Sequence, residues 1–533
     1  MDAQRPRMRR AATNGVALNL GDHSRTKTGG ASSQTGLHCV AVQFRSFVLV
    51  SLLAAPALAA FRCPARGGAP WREVRTAHFV IDSDARGGEL ESLVRQLEHT
   101  HSLVMQALVG EQLDIPGHVR VLAFSDQTDF FEIAREGAGA YYTRGDFGEP
   151  TIVMPLRMLQ DYPEGVAHEL AHHLSFFLFP VQPHWFAEGL AEWVQTVTAP
   201  PAPMAMSRTG SHIVRAAKVI NGGMAGSIPF NLVSWLGHDS RPMPASELLT
   251  WNGEEASTSG ARGHLWSWML YHWLWNQRSK AFADYQKRLA ESGDPEAAWH
   301  GAFPEFDPEN PEALAKLDDE LDRYRRSGQF TVFKVQADAD ARFKEALISS
   351  SDLHLLILAV RHNWPAEIEK EKAIRQALVD EALAEDPGNP VLRYTVMKRQ
   401  KDVDVAALRA VANTRPRDWR GWSLLAKVTP AAEREAPLRK AVELNPESAH
   451  AQNELACLLV TSDRAREALP FANRALDLAP WDPEIVDTLA EVAARLGKCA
   501  EARQLEKRAV ATAKSDSMRK RQAEIDARCS VPK

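Results

Sequence analysis

Five residues between His168 and Glu192 have the types and spacing to assemble a hydrolytic metal centre. His168 and His172 stand four apart in His168-Glu169-Leu170-Ala171-His172, so on an α-helix their imidazoles share a face and can offer nitrogens to one ion. Glu169 lies at the rim of that face, where it can take a proton from an activated water without being a ligand. Two imidazoles leave a tetrahedral zinc short of a protein ligand. After a break at Pro180 and Pro183 a second helical run, Trp185 to Glu192, brings Glu188 back as the third ligand. Glu192, one turn on, can accept the spare N–H of a ligand histidine and fix its tautomer. The set implies Zn2+, since two imidazoles and a carboxylate suit that ion.

The alternative is a buried amphipathic helix with incidental histidines. It accounts for Leu170 and Leu174 but leaves Glu169, Glu188 and Glu192 without partners beside an apolar core, which is costly. His173 points about 100° from His172 and reads as a polar residue on another helix face. His184, one turn before Glu188, could replace it as ligand, but Pro183 puts His184 where the helix backbone is only starting to turn.

With its Trp-x-x-Glu-Gly-x-Ala-Glu wording, the stretch resembles the gluzincin metallopeptidases, and within them the peptidase MA-like group. The match lies at His168, Glu169, His172 and Glu188, and extends to Glu192. The resemblance implies an α+β domain, in which a small sheet precedes the HExxH helix and a helical lobe follows it. It also implies an edge strand that pairs with extended substrate and zinc-dependent peptide hydrolysis. Gluzincin aminopeptidases carry Gly-x-Met-Glu-Asn ahead of the HExxH helix. Here the comparable segment is Gly137-Ala138-Gly139-Ala140-Tyr141, with no acid to hold a free amine, so endopeptidase action is favoured. The family's oxyanion donor, a Tyr or His from the downstream helical region, has three candidates here: His264, Tyr271 and His272.

The elements that must position these groups are legible in outline. Val74 to Asp82 and Val119 to Phe124 have strand character, Leu90 to Leu108 recur at helical spacing, and Tyr141-Tyr142 and Thr151 to Met154 form a strand pair around a Gly-rich turn at Arg144 to Gly148. Residues 200 to 262, rich in Pro, Gly and Ser, read as loops and short helices around the cleft. The tryptophans of the helix that starts at Gly263 read as core behind the site. Beyond it, Ala441, Ala475 and Ala509 recur at 34 residues, as do Asn445-Pro446 and Ala479-Pro480. That period, with proline at the turns, resembles tetratricopeptide repeats from Leu438 to Lys514, with shorter units before it at Asp386-Pro387 and Arg415-Pro416. Stacked helix pairs present a concave groove for a protein partner.

The 533 residues therefore divide into 1–60, a disordered N-terminus and signal peptide; 61–330, the metallopeptidase-like domain; and 331–533, an α-helical tetratricopeptide solenoid. Residues 1–43 lack an apolar period, and the run VLVSLLAAPALAA after Arg45 has the form of a cleaved export signal, so a periplasmic or secreted protein is expected. No segment is a stable membrane span. A net charge of −5 with no basic stripe argues against nucleic acid. Five scattered cysteines make no metal cage, although Cys499 and Cys529 bracket the last helices and could bridge. Two functions remain: a zinc peptidase whose repeats hold a substrate or partner, or a non-catalytic repeat scaffold of the cell envelope that keeps a metal-binding domain.

Overall fold

The computed structural model describes residues 63–134, 139–144, 148–198, 222–225, 242–253, 260–327, 333–361, 368–513 and 515–530. The expected N-terminal tail and export signal lie outside them. So do most of the loops expected between 200 and 262, and residues 137–138 and 145–147.

Eight strands are described: β1 (Arg72–Arg75), β2 (Phe79–Ser83), β3 (Val119–Phe124), β4 (Tyr141–Arg144), β5 (Pro150–Pro155), β6 (Gly222–Ala225), β7 (Phe333–Gln336) and β8 (Lys344–Leu347). Six make one sheet in the order β4-β5-β3-β2-β1-β8, in which β2, β3 and β5 run parallel and the outer strands antiparallel. The single strand expected over Val74 to Asp82 is instead two. Thr76 turns the chain, its amide bonding the Phe79 carbonyl and its hydroxyl accepting the Phe79 N–H. The helix Gly88–Val109 is the crossover that the parallel β2–β3 pair requires.

Strand alternation assigns the two faces. Phe79, Ile81, Val121 and Ile152 join one core with Val166, Ala167, Leu170 and Leu174 of the HExxH helix, Pro163–Leu178. Burying each of those leucines contributes about 1.5–3 kcal/mol, which fixes the HExxH helix to the sheet. On the opposite face Leu122, Phe124 and Val153 are covered by Leu353, Ile357 and Val360 from the helix Ser350–Arg361.

β7 and β8 correct the expected boundary at 330. β8 adds to β1 at the edge of the main sheet and β7 pairs with β6, so residues up to 347 belong to the sheet-bearing unit. The pattern hid this because β8 is exposed along its length and carries no apolar alternation.

From Ser350 the described elements are all helices. Helices opening at Pro390, Trp419, Ala449 and Pro483 each begin an antiparallel pair; the last step is the 34-residue one and the two before it are shorter, as the proline turns indicated. Asn389, Asp418, Ser448 and Asp482 cap these helices by accepting a backbone N–H from the first turn. Ala456, Ala468, Ala472, Ala490, Ala502 and Ala509 line the core between pairs, where small side chains let helices approach. This is a helical-repeat solenoid. Cys499 and Cys529 form a disulfide that ties its last two helices together. Among the described residues no helix is long and apolar enough to cross a membrane.

Candidate metal centre

The HExxH helix has Pro163 in its first turn and ends at Leu178; the Glu188 helix, His184–Gln195, starts after Pro183 and crosses it. A third helix, Gly260–Gln277, packs against the Glu188 helix. The approach of these two depends on Gly189. A Cβ built there would stand 2.5 Å from the Ser267 carbonyl oxygen and 2.8 Å from Tyr271 Cβ.

This packing brings His168, His172 and Glu188 to one point. His168 Nε2 lies 3.1 Å from His172 Nε2 and 3.3 Å from Glu188 Oε2, and His172 Nε2 lies 3.5 Å from Glu188 Oε1. A tetrahedral zinc with bonds of about 2.0–2.1 Å needs donor–donor edges of about 3.3–3.4 Å, so the two imidazole nitrogens and the Glu188 carboxylate, which turns one oxygen to each, stand near ligand spacing. The buried Glu188 Oε2 has no well-aligned hydrogen bond among the described residues, as expected of an atom whose partner is an ion. The donor set, two imidazoles and a carboxylate, fits zinc. The two histidines are half-buried, which leaves the point reachable from solvent.

The electrostatics of the cluster are those of imidazoles paired with carboxylates. Burial would raise the pKa of Glu188, but His172, His168 and His264 around it hold it well below the ordinary carboxylate range. Burial opposes charge on His168, yet Glu188, Glu192 and Glu169 raise it to about 9, and Glu188 and Glu192 likewise raise His264 to about 10. Protons on imidazole here balance a crowd of carboxylates, and a metal would displace them. Burial pushes Glu169 up, helped by Glu188 and opposed by His168 and His172. Glu169 faces the backbone amide of Tyr142 on β4.

The other expected positions divide. Glu192 sits behind the ligands, but its Oε1 is 4.0 Å from His168 Nδ1 and 3.2 Å from His264 Nδ1, so it holds His264 more closely than a ligand histidine. Gln195 donates to its other oxygen. His264 Nδ1 also lies 3.1 Å from Glu188 Oε2, which makes it part of the centre. Of the three oxyanion candidates only His264 arrives. Tyr271 is buried beside Gln286, and His272 is buried against Tyr324 and Asn276. His184 Nε2 is 3.8 Å from Glu188 Oε1 and its ring packs on Trp251. His173 is buried, with Tyr142 Oη at 3.3 Å from its Nδ1; burial, then Arg144, lowers its pKa to about 3, so it is neutral. The sequence signal for His264 was its place at the start of a helix whose other face is tryptophan-rich. No local pattern singled it out from His272.

No protein-family profile matches the chain, and no curated protein matches it. Among solved structures, a thermophilic TPR protein of Thermus thermophilus overlaps 33% of this chain and 96% of its own at 19% identity, TM-score 0.25. Yeast Tom70 overlaps 70% of this chain and 86% of its own at 10% identity, TM-score 0.26. At these scores the repeat character of the C-terminal helical region rests on its own helix pairs.

Proposed function

We propose that the chain is a zinc-dependent peptide-bond hydrolase of gluzincin type, acting as an endopeptidase, with the helical repeats holding a substrate or partner protein. The observation that carries this reading is the three donors near tetrahedral edge spacing with Glu169 beside them and not among them. A divalent ion held by His168, His172 and Glu188 supplies Lewis acidity to a scissile carbonyl and lowers the pKa of water at the site.

The chain's own groups do the rest. Among the described residues β4 pairs with no strand but β5, so its outer edge, where the Tyr142 amide faces Glu169, is where an extended peptide backbone would lie. Tyr142 on that strand faces Glu169 through its amide, which places the base next to a peptide lying along the edge. Glu169 takes the proton from the attacking water and returns it to the leaving amine. Its raised pKa suits both halves of that exchange. Glu192 and His264 brace Glu188 from behind. Gly139 and Ala140, ahead of β4, offer no acid to hold a free amine, which favours internal cleavage. The Cys499–Cys529 disulfide supports an oxidising, exported location.

Zinc content with hydrolysis of casein tests this. The parent is expected to hold about one zinc per chain, and His172→Ala to lose both metal and cleavage; a metal-free, inactive parent after zinc is restored would overturn it. The second reading is a non-catalytic repeat scaffold that keeps the metal-binding domain. It is favoured by the extent of the solenoid, which runs from Ser350 to Ser530. Zinc binding without turnover on any peptide would select it.

A further inference from the structure

The solenoid docks against the HExxH helix through one turn. Ala479-Pro480-Trp481-Asp482 joins two repeats, and Trp481 is buried in a cluster with Phe176 and Phe177 of the HExxH helix. Its ring meets Phe177 at 5.2 Å, edge to face, and His173 at 5.8 Å. The guanidinium of Arg144, the last residue of β4, lies 4.7 Å from the Trp481 ring and 4.9 Å from the Phe176 ring. Among the described residues Arg144 Nε, which is buried, meets no hydrogen-bond partner; the guanidinium is held by these rings together with the Tyr142 side chain, whose hydroxyl it bonds. One repeat earlier, the position equivalent to Trp481 is Glu447, which pairs with His118 at 2.8 Å. Both turns thus contact the sheet-bearing unit, and of the two it is the second that meets the HExxH helix.

From Trp481 the path to Glu169 is short. Arg144 and Tyr142 share the edge strand, the Tyr142 hydroxyl meets His173 in the HExxH helix, and the Tyr142 amide faces Glu169. A short edge strand paired on one side only is weakly held. We infer that Trp481 is a positioning residue: supplied by the repeat domain, it clamps Arg144 and so fixes β4 against Glu169, making hydrolysis depend on the docked solenoid. This rests on the proposed peptidase activity, but its structural half does not.

The test uses the full chain and its Trp481→Ala, Trp481→Phe and Arg144→Ala variants, read by hydrogen exchange over Tyr141–Arg144, bound zinc, and kcat and KM on a peptide library. Trp481→Ala and Arg144→Ala should speed exchange in β4 about tenfold, with β2 and β3 unchanged, because the first removes the stacking that steadies a half-free edge and the second removes that stacking together with the hydrogen bond to Tyr142. Turnover should fall with zinc retained, and Trp481→Phe should restore most of both. Unchanged β4 exchange in Arg144→Ala, or in a folded Trp481→Ala, overturns the inference. Were the parent inactive, the peptidase reading would fail while the exchange result still decided the clamp.

Discussion

Gly189→Ala sets two known effects against each other in the core of the site. Gly189 sits inside the Glu188 helix and is not among the residues with positive φ, so replacing glycine by alanine should favour the helix by about 1 kcal/mol. The added methyl, however, would lie 2.5 Å from the Ser267 carbonyl and 2.8 Å from Tyr271 Cβ. Neither can swing away, since one is backbone and the other is the root of a buried side chain. Ordinary contact requires the helices to part by about 0.9 Å, and overpacking of this kind costs roughly 1–3 kcal/mol. With both contacts rigid the clash falls in the upper part of that range and outweighs the gain, for a net loss of up to about 2 kcal/mol. The same displacement carries His264 away from Glu188, now 3.1 Å apart, so zinc affinity should weaken as well. Denaturant titration followed by circular dichroism, with zinc competition on the same samples, measures both. An alanine variant as stable as the parent, with parental affinity, would refute the claimed helix contact.

Three further outcomes follow from the same geometry. His101 is buried against His78, and burial, with His78 adding to it, lowers its pKa to about 3. A depressed folded pKa means stability is complete above about 6.5 and falls as pH drops toward 3, at up to about 1.4 kcal/mol per unit. His101→Phe should flatten that slope in acid-denaturation curves; an unchanged slope would count against a buried neutral imidazole. Cys499→Ser should lower stability by no more than about 3–4 kcal/mol, the loop-closure value for a bridge of separation 30, and a reductant should then leave the variant unaffected. Glu192→Gln should weaken zinc binding less than His172→Ala in isothermal titration, because Glu192 braces the site through His264 and stands 4.0 Å from His168; equal loss would make it a ligand.

The candidate centre was readable from sequence to the degree that it is local. His168 and His172 share a helix face by spacing alone, and Pro183 marks the start of the helix that returns Glu188. His264 was not separable from His272, because which face of a tryptophan-rich helix meets Glu188 is decided by packing at Gly189. His173 read only as a polar residue on another helix face, because its cover, Trp481, comes from a repeat some three hundred positions away. The repeats were legible through alanine and proline at a fixed period, whereas β8 was not, since a short exposed strand has no apolar alternation to show.

The central claim is that Glu169 is the base of a hydrolytic centre and not a ligand of it. Glu169→Gln, isosteric and neutral, tests it when zinc content and hydrolysis of a peptide library are measured beside the parent. The account predicts parental zinc with hydrolysis reduced by about 10²–10⁴-fold, the usual share of a general base. Hydrolysis at the parental rate by the glutamine variant, or loss of its metal, would contradict it.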